Sequence, residues 1–424
     1  MTSEVRHREA YVWIWLPNAK EPVVAGRLSR TGKKIVFNYG RSYLDRGDRI
    51  AIYHPELPLE QGLLPLVAGL SMPSAIRDAS PDAWGRRVII NRTLGKKADK
   101  SDGAELDELT YLLESGSDRI GALDFQLSPT NYVPRQRQTA SLSELMESAE
   151  RVEKRLPLTP ELDQALQHGT SLGGARPKVL IDAEGTKFIA KFSASNDLHN
   201  VVKAEYVAMR LAALAGLNVA PVRLERVMGK DVFMVERFDR RHDNGVWHRR
   251  AIVSALTMLE LDEMMARYAS YEDLAEIVRH RFTEPTKTLH ELFARLVFNI
   301  LCGNTDDHAR NHAAFWDGQS LALTAAYDIC PQLRTGGEAG QAMLILGQVN
   351  ASQLRHCLDA ASRFLLSAAE AQAIVRHLAD AIRGHWDLVC DDAQLNAGER
   401  EILWNGAFFK PYAFEGLPPE LAGI

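Results

Sequence analysis

The amino-acid sequence predicts an α+β fold in two lobes, with a β-rich N-terminal part and a large all-helical C-terminal lobe. Short apolar segments bounded by turn residues, which are typical of strands, dominate the first part of the chain. Beyond residue 140 an α/β unit follows, and apolar residues then recur at the helical period of about 3.6 over Leu289–Leu301, Ser367–Ile382 and Asp387–Cys390 with the residues after it. A polar loop over residues 304–311 interrupts this helical part and precedes Ala326-Tyr327-Asp328. We therefore expect successive parts of the chain to form the two lobes.

Length and composition are those of an ordinary globular protein. A chain of 424 residues is too long to fold around a single small hydrophobic core, so we expect two or more domains. The net charge of -5 argues against a surface that is basic throughout, although local basic patches remain compatible with it. The four cysteines form no CxxC pair, which favours neither a disulfide framework nor a zinc site. With no apolar run of membrane-spanning length, the sequence predicts a cytoplasmic protein without a membrane partner.

The first predicted region, residues 1–135, is β-rich. Its strand candidates are Tyr11–Leu16, Gly26–Ser29 and Lys34–Tyr39, and helices are predicted from Ala83 and over Leu106–Leu113. The segment over residues 129–137 contains two prolines and lacks periodicity, which indicates a linker. We therefore place a domain boundary in this segment, and a helix over Leu142–Lys154 is predicted to follow it.

A glycine-rich run precedes a strand in the second predicted region, residues 136–240. Residues 169–178 read Gly-Thr-Ser-Leu-Gly-Gly-Ala-Arg-Pro-Lys, and small residues at this density let backbone N–H groups approach an anionic ligand. Gly173 and Gly174 are therefore candidates to line the phosphates of a nucleotide. The run matches neither the dinucleotide-binding nor the Walker pattern, so a plain glycine turn explains it equally well.

A lysine on a strand and a glutamate on a helix follow the glycine run. The predicted strand Thr186–Phe192 has two faces, one with Phe188, Ala190 and Phe192 and the other with Lys187, Ile189 and Lys191. Lys191 can reach nucleotide phosphates as a point charge, although a solvated edge lysine is the commoner case. The helix predicted over Asn200–Leu214 carries Glu205, and in kinase-like sites such a glutamate pairs with the strand lysine. The alternative for Glu205 is a surface charge.

An apolar strand that turns abruptly polar, Val232–Arg240, completes the second region. Its end suits a hinge at which backbone groups of Glu236 and Phe238 meet the edge of an adenine base. The alternative is a strand that simply leaves the core.

The loop over residues 304–311 belongs to the third predicted region, 241–424, and carries side chains that can build a magnesium phosphotransfer site. Asp306 is a candidate to orient or deprotonate a hydroxyl group, and Asn311 and Asp328 are candidate ligands of Mg²⁺. Protein kinases use the same Asp-to-Asn interval, followed by a metal-binding Asp. Each residue alone is also explained as a turn cap. Two roles stay open for His308, a brace that bonds the backbone of the loop, which we favour, and a catalytic neighbour of Asp306.

The order of these elements favours a protein-kinase-like fold. Glycine loop, strand lysine, helix glutamate, hinge strand, Asp-Asn loop and strand-end aspartate follow each other as such a fold requires. Chance explains all six together far less well than it explains any one. Two other functions stay open, a small-molecule phosphotransferase and an inactive kinase fold that acts as a corepressor with a DNA-binding partner. The complete set of Lys191, Asp306, Asn311 and Asp328 favours an active enzyme.

Short motifs spread over the chain carry a resemblance to a known family. They are Tyr39–Leu44, Ser80–Arg86, Asp118–Leu123, Ser171–Lys178, Val235–Arg240, Asn304–Asn311 and Tyr327-Asp328. At these residues, and over nearly its whole length, the chain resembles the HipA family of toxin serine/threonine kinases.

The resemblance implies a bacterial kinase of a toxin–antitoxin module that uses ATP and Mg²⁺. Its partner would be a small helix-turn-helix antitoxin of the HipB type, through which the complex binds operator DNA. Family members phosphorylate a serine of a protein substrate, an aminoacyl-tRNA synthetase in the best-known cases, and autophosphorylate a loop serine that corresponds here to Ser171. The alternative for Ser171 is a turn residue that bonds its own backbone. Asp307 stands where many members carry a small residue, which changes the local charge without removing the catalytic set.

Overall fold

The computed structural model describes residues 7–94, 106–135, 141–154, 156, 159, 176–193, 197, 199–421 and 423. The chain forms two compact units, each assembled from separate segments. The first unit contains residues 1–198, 225–253 and 316–319, and the second contains residues 199–224, 254–315 and 320–424. The boundaries predicted at residues 135 and 240 both fall inside segments of the first unit, and they remain predictions.

A four-stranded antiparallel sheet with the order β3-β2-β1-β4 forms the N-terminal part of the first unit. Its strands are β1 (Glu9–Ile14), β2 (Val23–Thr31), β3 (Lys34–Tyr39) and β4 (Leu123–Gln126), and the helices of this part are α1 (Arg41–Leu44), α2 (Ser74–Arg77), α3 (Ala83–Leu94) and α4 (Glu108–Glu114). The three predicted strands and both predicted helices are confirmed, with small shifts at their ends. The sequence pattern misses β4 because all of its residues are buried, so no alternation marks it.

A second four-stranded sheet, with the order β5-β6-β8-β7, contains the predicted lysine strand. Helix α5 (Leu142–Glu153) precedes the strands β5 (Lys178–Ala183), β6 (Thr186–Phe192), β7 (Val222–Val227) and β8 (Lys230–Glu236), which are followed by β9 (Arg240–Asp243), β10 (Val246–Arg249) and β11 (Ala251–Ser254). Phe188, Ala190 and Phe192 are buried and the alternate residues of β6 are half-buried, which confirms the predicted faces. The buried face packs in one core with apolar residues of α3 and α5.

Buried charges connect the loop before β4 to the chain that leaves β8. The guanidinium of Arg237 donates to both carboxylate oxygens of Asp239, from Nε at 3.0 Å and from Nη2 at 2.8 Å. Asp239 also accepts the backbone N–H of Gly121 at 2.8 Å and pairs with Arg240 at 2.6 Å. Because buried charges need partners inside the protein, these contacts fix the start of β4 relative to the end of β8, which are strands of the two four-stranded sheets.

The second unit is mainly helical. Its helices are α6 (Val201–Leu214), α7 (Ala255–Met258), α8 (Tyr271–Arg281), α9 (Pro285–Leu301), α10 (Leu354–Ala360), α11 (Ala368–Asp392) and α12 (Ala397–Gly406), with 3-10 helices at Glu263–Tyr268, Ala361–Phe364, Pro411–Phe414 and Pro419–Leu421. The helix predicted from Asn200 is confirmed, since the Asn200 side chain accepts the N–H of Lys203 as its N-cap. Across the described residues, none of the helices has both the length and the apolarity of a membrane span.

Two features of the helical lobe differ from the pattern in the sequence. The apolar stripes over residues 367–382 and 387–390 lie on one continuous helix, α11, which begins with a capping box of Ser367 and Glu370. Two short strands, β12 (Ala313–Trp316) and β13 (Leu321–Leu323), add to a lobe that is otherwise helical. The turn between them is set by Gly318, whose φ of 101° favours glycine.

Replacing Trp84 with phenylalanine is expected to destabilise the first unit. The buried indole donates to the carbonyl of Lys178 at 2.9 Å and so ties α3 to β5. Phenylalanine leaves that carbonyl unpaired, and we expect the free energy of unfolding in urea to fall by about 1–3 kcal/mol. Trp247→Phe, at a half-buried position on β10, is the control and should cost less. Equal stability of the Trp84 variant and the wild type would contradict this role of the hydrogen bond.

Candidate active site

The loop over residues 304–311 leaves α9 in a direction that buried contacts determine. Gly303 has a φ of 70°, and a Cβ atom there would overlap the carbonyl of Ala407, so glycine is required. Asn304 is buried and donates its backbone N–H to the carbonyl of Asn299 at 2.8 Å. Its Nδ2 donates to Oδ1 of Asn299 at 3.0 Å. This asparagine pair anchors the start of the loop.

The loop turns back on itself and brings Asp306 and Asn311 together. The N–H of Asn311 donates to the carbonyl of His308 at 2.8 Å, and its Nδ2 donates to the carbonyl of Asp306 at 3.1 Å. The backbone N–H of His308 also bonds the Asp306 carbonyl, at 3.0 Å, while the predicted role of its imidazole stays a prediction. Since Nδ2 of Asn311 is engaged, Oδ1 is the atom that can ligate a cation.

Asp328 follows a segment that is tied to the same loop. Ala326 donates its N–H to the carbonyl of Asn218 at 2.7 Å, which fixes the chain just before the aspartate. The hydroxyl of Tyr327 donates to the carbonyl of Arg310 at 2.6 Å. Asp328 itself has a φ of 60°, a left-handed conformation that aspartate adopts more readily than most residues. The two segments that carry the predicted metal ligands are therefore linked through Tyr327.

Negative charge accumulates where the loop and Asp328 meet. The carboxyl of Asp306 is accessible to solvent, yet its pKa is raised, first by partial desolvation. Repulsion from Asp328 and Asp307 raises the pKa further, against the opposing effect of His308. A divalent cation would offset this repulsion, and the Asp328 carboxylate and the Asn311 amide oxygen are hard ligands of the kind that Mg²⁺ prefers.

A magnesium ion at this place would draw part of its coordination from phosphate and water oxygens. Within the described ranges, no three or more His, Cys, Asp or Glu side chains are grouped so that they could hold a metal by themselves. Mg²⁺ is commonly bound by one or two protein ligands together with substrate phosphates. The pair of Asn311 and Asp328 fits that pattern.

The second aspartate of the loop, Asp307, is buried and anchors the loop. One of its carboxylate oxygens lies 2.9 Å from Nε2 of His312, and the other accepts the hydroxyl of Tyr271. Burial alone would raise the pKa of Asp307, but attraction to His312 and the hydrogen bonds lower it. His312 follows Asp307 at the interval that separates Asn311 from Asp306, so one turn positions both pairs. This interval is the signal in the sequence from which the anchor could have been inferred.

Lys191 and Glu205 lie in different units. Lys191 is half-buried on β6 opposite Phe233 of β8, with Nζ 5.8 Å from the centre of that ring. Glu205 is only 3% exposed on α6, so the alternative of a surface charge is wrong. A buried carboxylate requires a partner. Since Lys191 belongs to the first unit and Glu205 to the second, the ion pair between them stays a prediction.

The backbone at the predicted hinge has a defined direction. The N–H of Arg237 donates to the carbonyl of Lys187 on β6 at 2.9 Å. Because this peptide is trans, the carbonyl of Glu236 points the opposite way, away from β6, and Phe238 lies in the turn that follows β8. This direction fits the predicted recognition of an adenine edge, which stays a prediction.

The predicted phosphate-binding residues Gly173 and Gly174 and the predicted phosphosite Ser171 lie outside the described residues. The described end of the run begins with Arg176, whose Nη1 bonds Asp197 at 2.5 Å. The roles of the glycines and of Ser171 therefore stay predictions.

Comparisons with known proteins show which family models, sequences and solved structures the chain resembles. The chain matches a HipA-like C-terminal domain over residues 170–386 and a HipA N-terminal domain over residues 15–126. It is 30% identical to a protein named "Putative kinase Y4mE" of Sinorhizobium fredii. The alignment spans 324 residues and covers 68% of this chain and 74% of that protein. It is 26% identical over 186 residues to the serine/threonine-protein kinase toxin HipA of Shewanella oneidensis, which covers 38% of this chain and 42% of that protein. The HipA chain solved with HipB and operator DNA from the same species superposes with a TM-score of 0.65 at 19% identity, over 92% of this chain and 95% of that one. The two chains therefore share the α+β, kinase-like fold.

Replacing Asp307 with asparagine is expected to destabilise the second unit. The variant removes the charge that His312 and Tyr271 contact in a buried site, and breaking such a pair costs about 3–5 kcal/mol. Urea unfolding measures the loss. Glu263→Gln is the control, because the exposed ion pair of Glu263 with Arg310 on the same loop should contribute less than about 1 kcal/mol. Equal losses in the two variants would show that Asp307 does not anchor the loop.

Proposed function

Because the chain belongs to the HipA family, we propose that it is an ATP- and Mg²⁺-dependent serine/threonine protein kinase. The observation that carries the proposal is the hydrogen bond from Asn311 to the backbone of Asp306, since it brings the proposed base and a proposed metal ligand together in one turn. Asp328, on the segment that Tyr327 links to the same loop, supplies the second ligand. The names of two relatives, a putative kinase and a serine/threonine-protein kinase toxin, support the same reaction.

Asp306 is the group that takes the proton of the attacking hydroxyl in this proposal. The serine oxygen forms a bond to the γ-phosphorus of ATP while the bond from that phosphorus to the bridging oxygen breaks and ADP leaves. The hydroxyl proton passes to the Asp306 carboxylate, which is accessible to solvent and can therefore reach a substrate hydroxyl. Asn311 and Asp328 would hold Mg²⁺, which neutralises negative charge on the phosphates.

The remaining predicted residues bind the nucleotide in this proposal. Lys191, held by Glu205, would position the phosphates as a point charge. The backbone N–H groups of Gly173 and Gly174 would line them. The backbone of Glu236 and Phe238 would bond the edge of the adenine, in the direction that β8 defines.

We further propose that the kinase is the toxin of a HipBA-like toxin–antitoxin module acting in the cytoplasm. The fold that the chain shares with the HipA solved with HipB and operator DNA supports this. The partner would be a helix-turn-helix antitoxin of the HipB type, and operator DNA would be bound mainly through that antitoxin. The substrate would be a protein of the translation machinery, such as an aminoacyl-tRNA synthetase.

Replacing Asp306 with alanine is expected to abolish phosphate transfer while ATP binding stays close to that of the wild type. Loss of a general base lowers the rate by about 100-fold or more. Single-turnover assays with labelled ATP measure transfer, and titration calorimetry measures binding. Asp380→Ala, an exposed position on α11, is the control and should keep both. Transfer at the wild-type rate by the Asp306 variant would show that another group acts as the base.

Incubation of the protein with γ-labelled ATP alone tests Ser171 and separates the alternatives. We expect label on the chain, lost in Ser171→Ala and kept in the control Ser193→Ala, at an exposed position after β6. Autoradiography of the denatured protein measures it. ATP turnover without label on the chain would favour a small-molecule phosphotransferase. A complete absence of turnover would favour an inactive fold that acts as a corepressor.

A further inference from the structure

The side chain of Arg237 has a partner at each of its three nitrogens. Nε and Nη2 donate to Asp239, at 3.0 and 2.8 Å. Nη1 pairs with the carboxylate of Asp118 at 3.0 Å, and Nη2 also donates to the carbonyl of Arg119 at 2.9 Å. With its side chain 1% exposed, this guanidinium has one fixed orientation. Two of its partners belong to the turn before β4, far from the hinge in sequence.

The same turn also reaches the strand beside the hinge. Oδ2 of Asp118 lies 3.7 Å from Nζ of Lys187, whose carbonyl accepts the N–H of Arg237. Oδ1 of Asp118 lies 2.8 Å from Nη2 of Arg240. Burial alone would raise the pKa of Asp118, but attraction to Arg237, Arg240 and Lys187 holds it well below its ordinary value. Asp118 is therefore an ionised group that contacts the side chain of Arg237 directly and the backbone of Arg237 through Lys187.

We propose that the turn over residues 118–121 positions the nucleotide-binding hinge, by holding Arg237 and through it the backbone groups of Glu236 and Phe238. The inference rests on the proposed function, because it takes the adenine to bind at those groups. Arg237 stands between them, so a rotation of its peptide planes redirects the N–H of Phe238 and the carbonyl of Glu236. A hinge held in its binding direction does not lose conformational entropy when the base binds. The N-terminal region then acts on the nucleotide site through the hinge.

The chain offers a closely matched control for this role. Arg135, whose side chain is 27% exposed, donates to a carboxylate, that of Asp124 at 2.6 Å, and to the carbonyls of Ser115 and Phe125 at 2.7 and 3.0 Å. These contacts resemble those of Arg237, but they stay within the N-terminal region. Arg135→Lys and Arg237→Lys both keep the charge and lose the planar set of donors. Asp118→Asn is a third variant, at a side chain that is 24% exposed and so tolerates the loss of charge better than Asp239 does.

The experiment compares ATP binding and steady-state kinetics of the full chain in these three variants. We expect Asp118→Asn and Arg237→Lys to raise the dissociation constant and the KM for ATP about tenfold, equivalent to about 1.4 kcal/mol, with kcat at saturating ATP within about twofold of the wild type. Arg135→Lys should keep both constants, even if it lowers the urea midpoint of unfolding as much as the other two variants do. Hydrogen exchange of the peptide that covers residues 235–239 should become faster in the first two variants only.

The outcomes separate this inference from the function on which it rests. Wild-type protein that binds no ATP would overturn the proposed function, and this inference with it. Wild-type binding together with unchanged ATP affinity and unchanged exchange in Asp118→Asn and Arg237→Lys would overturn this inference alone. An equal loss of affinity in Arg135→Lys would also overturn it, because the effect would then follow from general destabilisation.

Discussion

A guanidinium removed from water has to find its acceptors within the protein, and Arg237 finds them on parts of the chain that lie 118 residues apart, as its bond to Arg119 shows. Asp239 binds it from the hinge side, and Asp118 from the turn before β4. Apolar residues of similar volume can be as stabilising as a buried ion pair, so stability alone does not account for this arrangement. The charges also restrict the geometry, since few arrangements of the turn and the hinge allow all of these ion pairs and hydrogen bonds.

In the second unit, a buried carboxylate restricts the proposed catalytic loop in a similar way. Asp306 and Asp307 are adjacent in sequence but opposite in environment, since the first is accessible to solvent and the second is buried against His312 and Tyr271. The pKa of Asp306 is raised and that of Asp307 is lowered. The exposed aspartate is the proposed base, and the buried one is an ionised anchor that keeps the loop in place.

Much of the fold was accessible from local patterns. Alternation identified β6 and its two faces, and the apolar stripes of α6, α9 and α11 identified the main helices. Strand β4 was not accessible in this way, because a strand buried on both faces loses the alternation that would mark it. The continuity of α11 was missed because the residues between its stripes, Arg383-Gly384-His385-Trp386, include a glycine and are compatible with either a loop or a helical turn.

The sequence by itself determined which chemical groups are present and in which order, because the interval between Asp306 and Asn311 and the strand-end Asp328 are local features. It also determined the family, since motifs in both halves of the chain agree. Only the tertiary structure decided which charges are buried. Glu205 looks like an ordinary charged residue until its surroundings are known, and the contact of Asp118 with Arg237 joins residues that no local pattern relates. Burial and long-range pairing depend on how distant segments pack, and for that reason they became visible only in three dimensions.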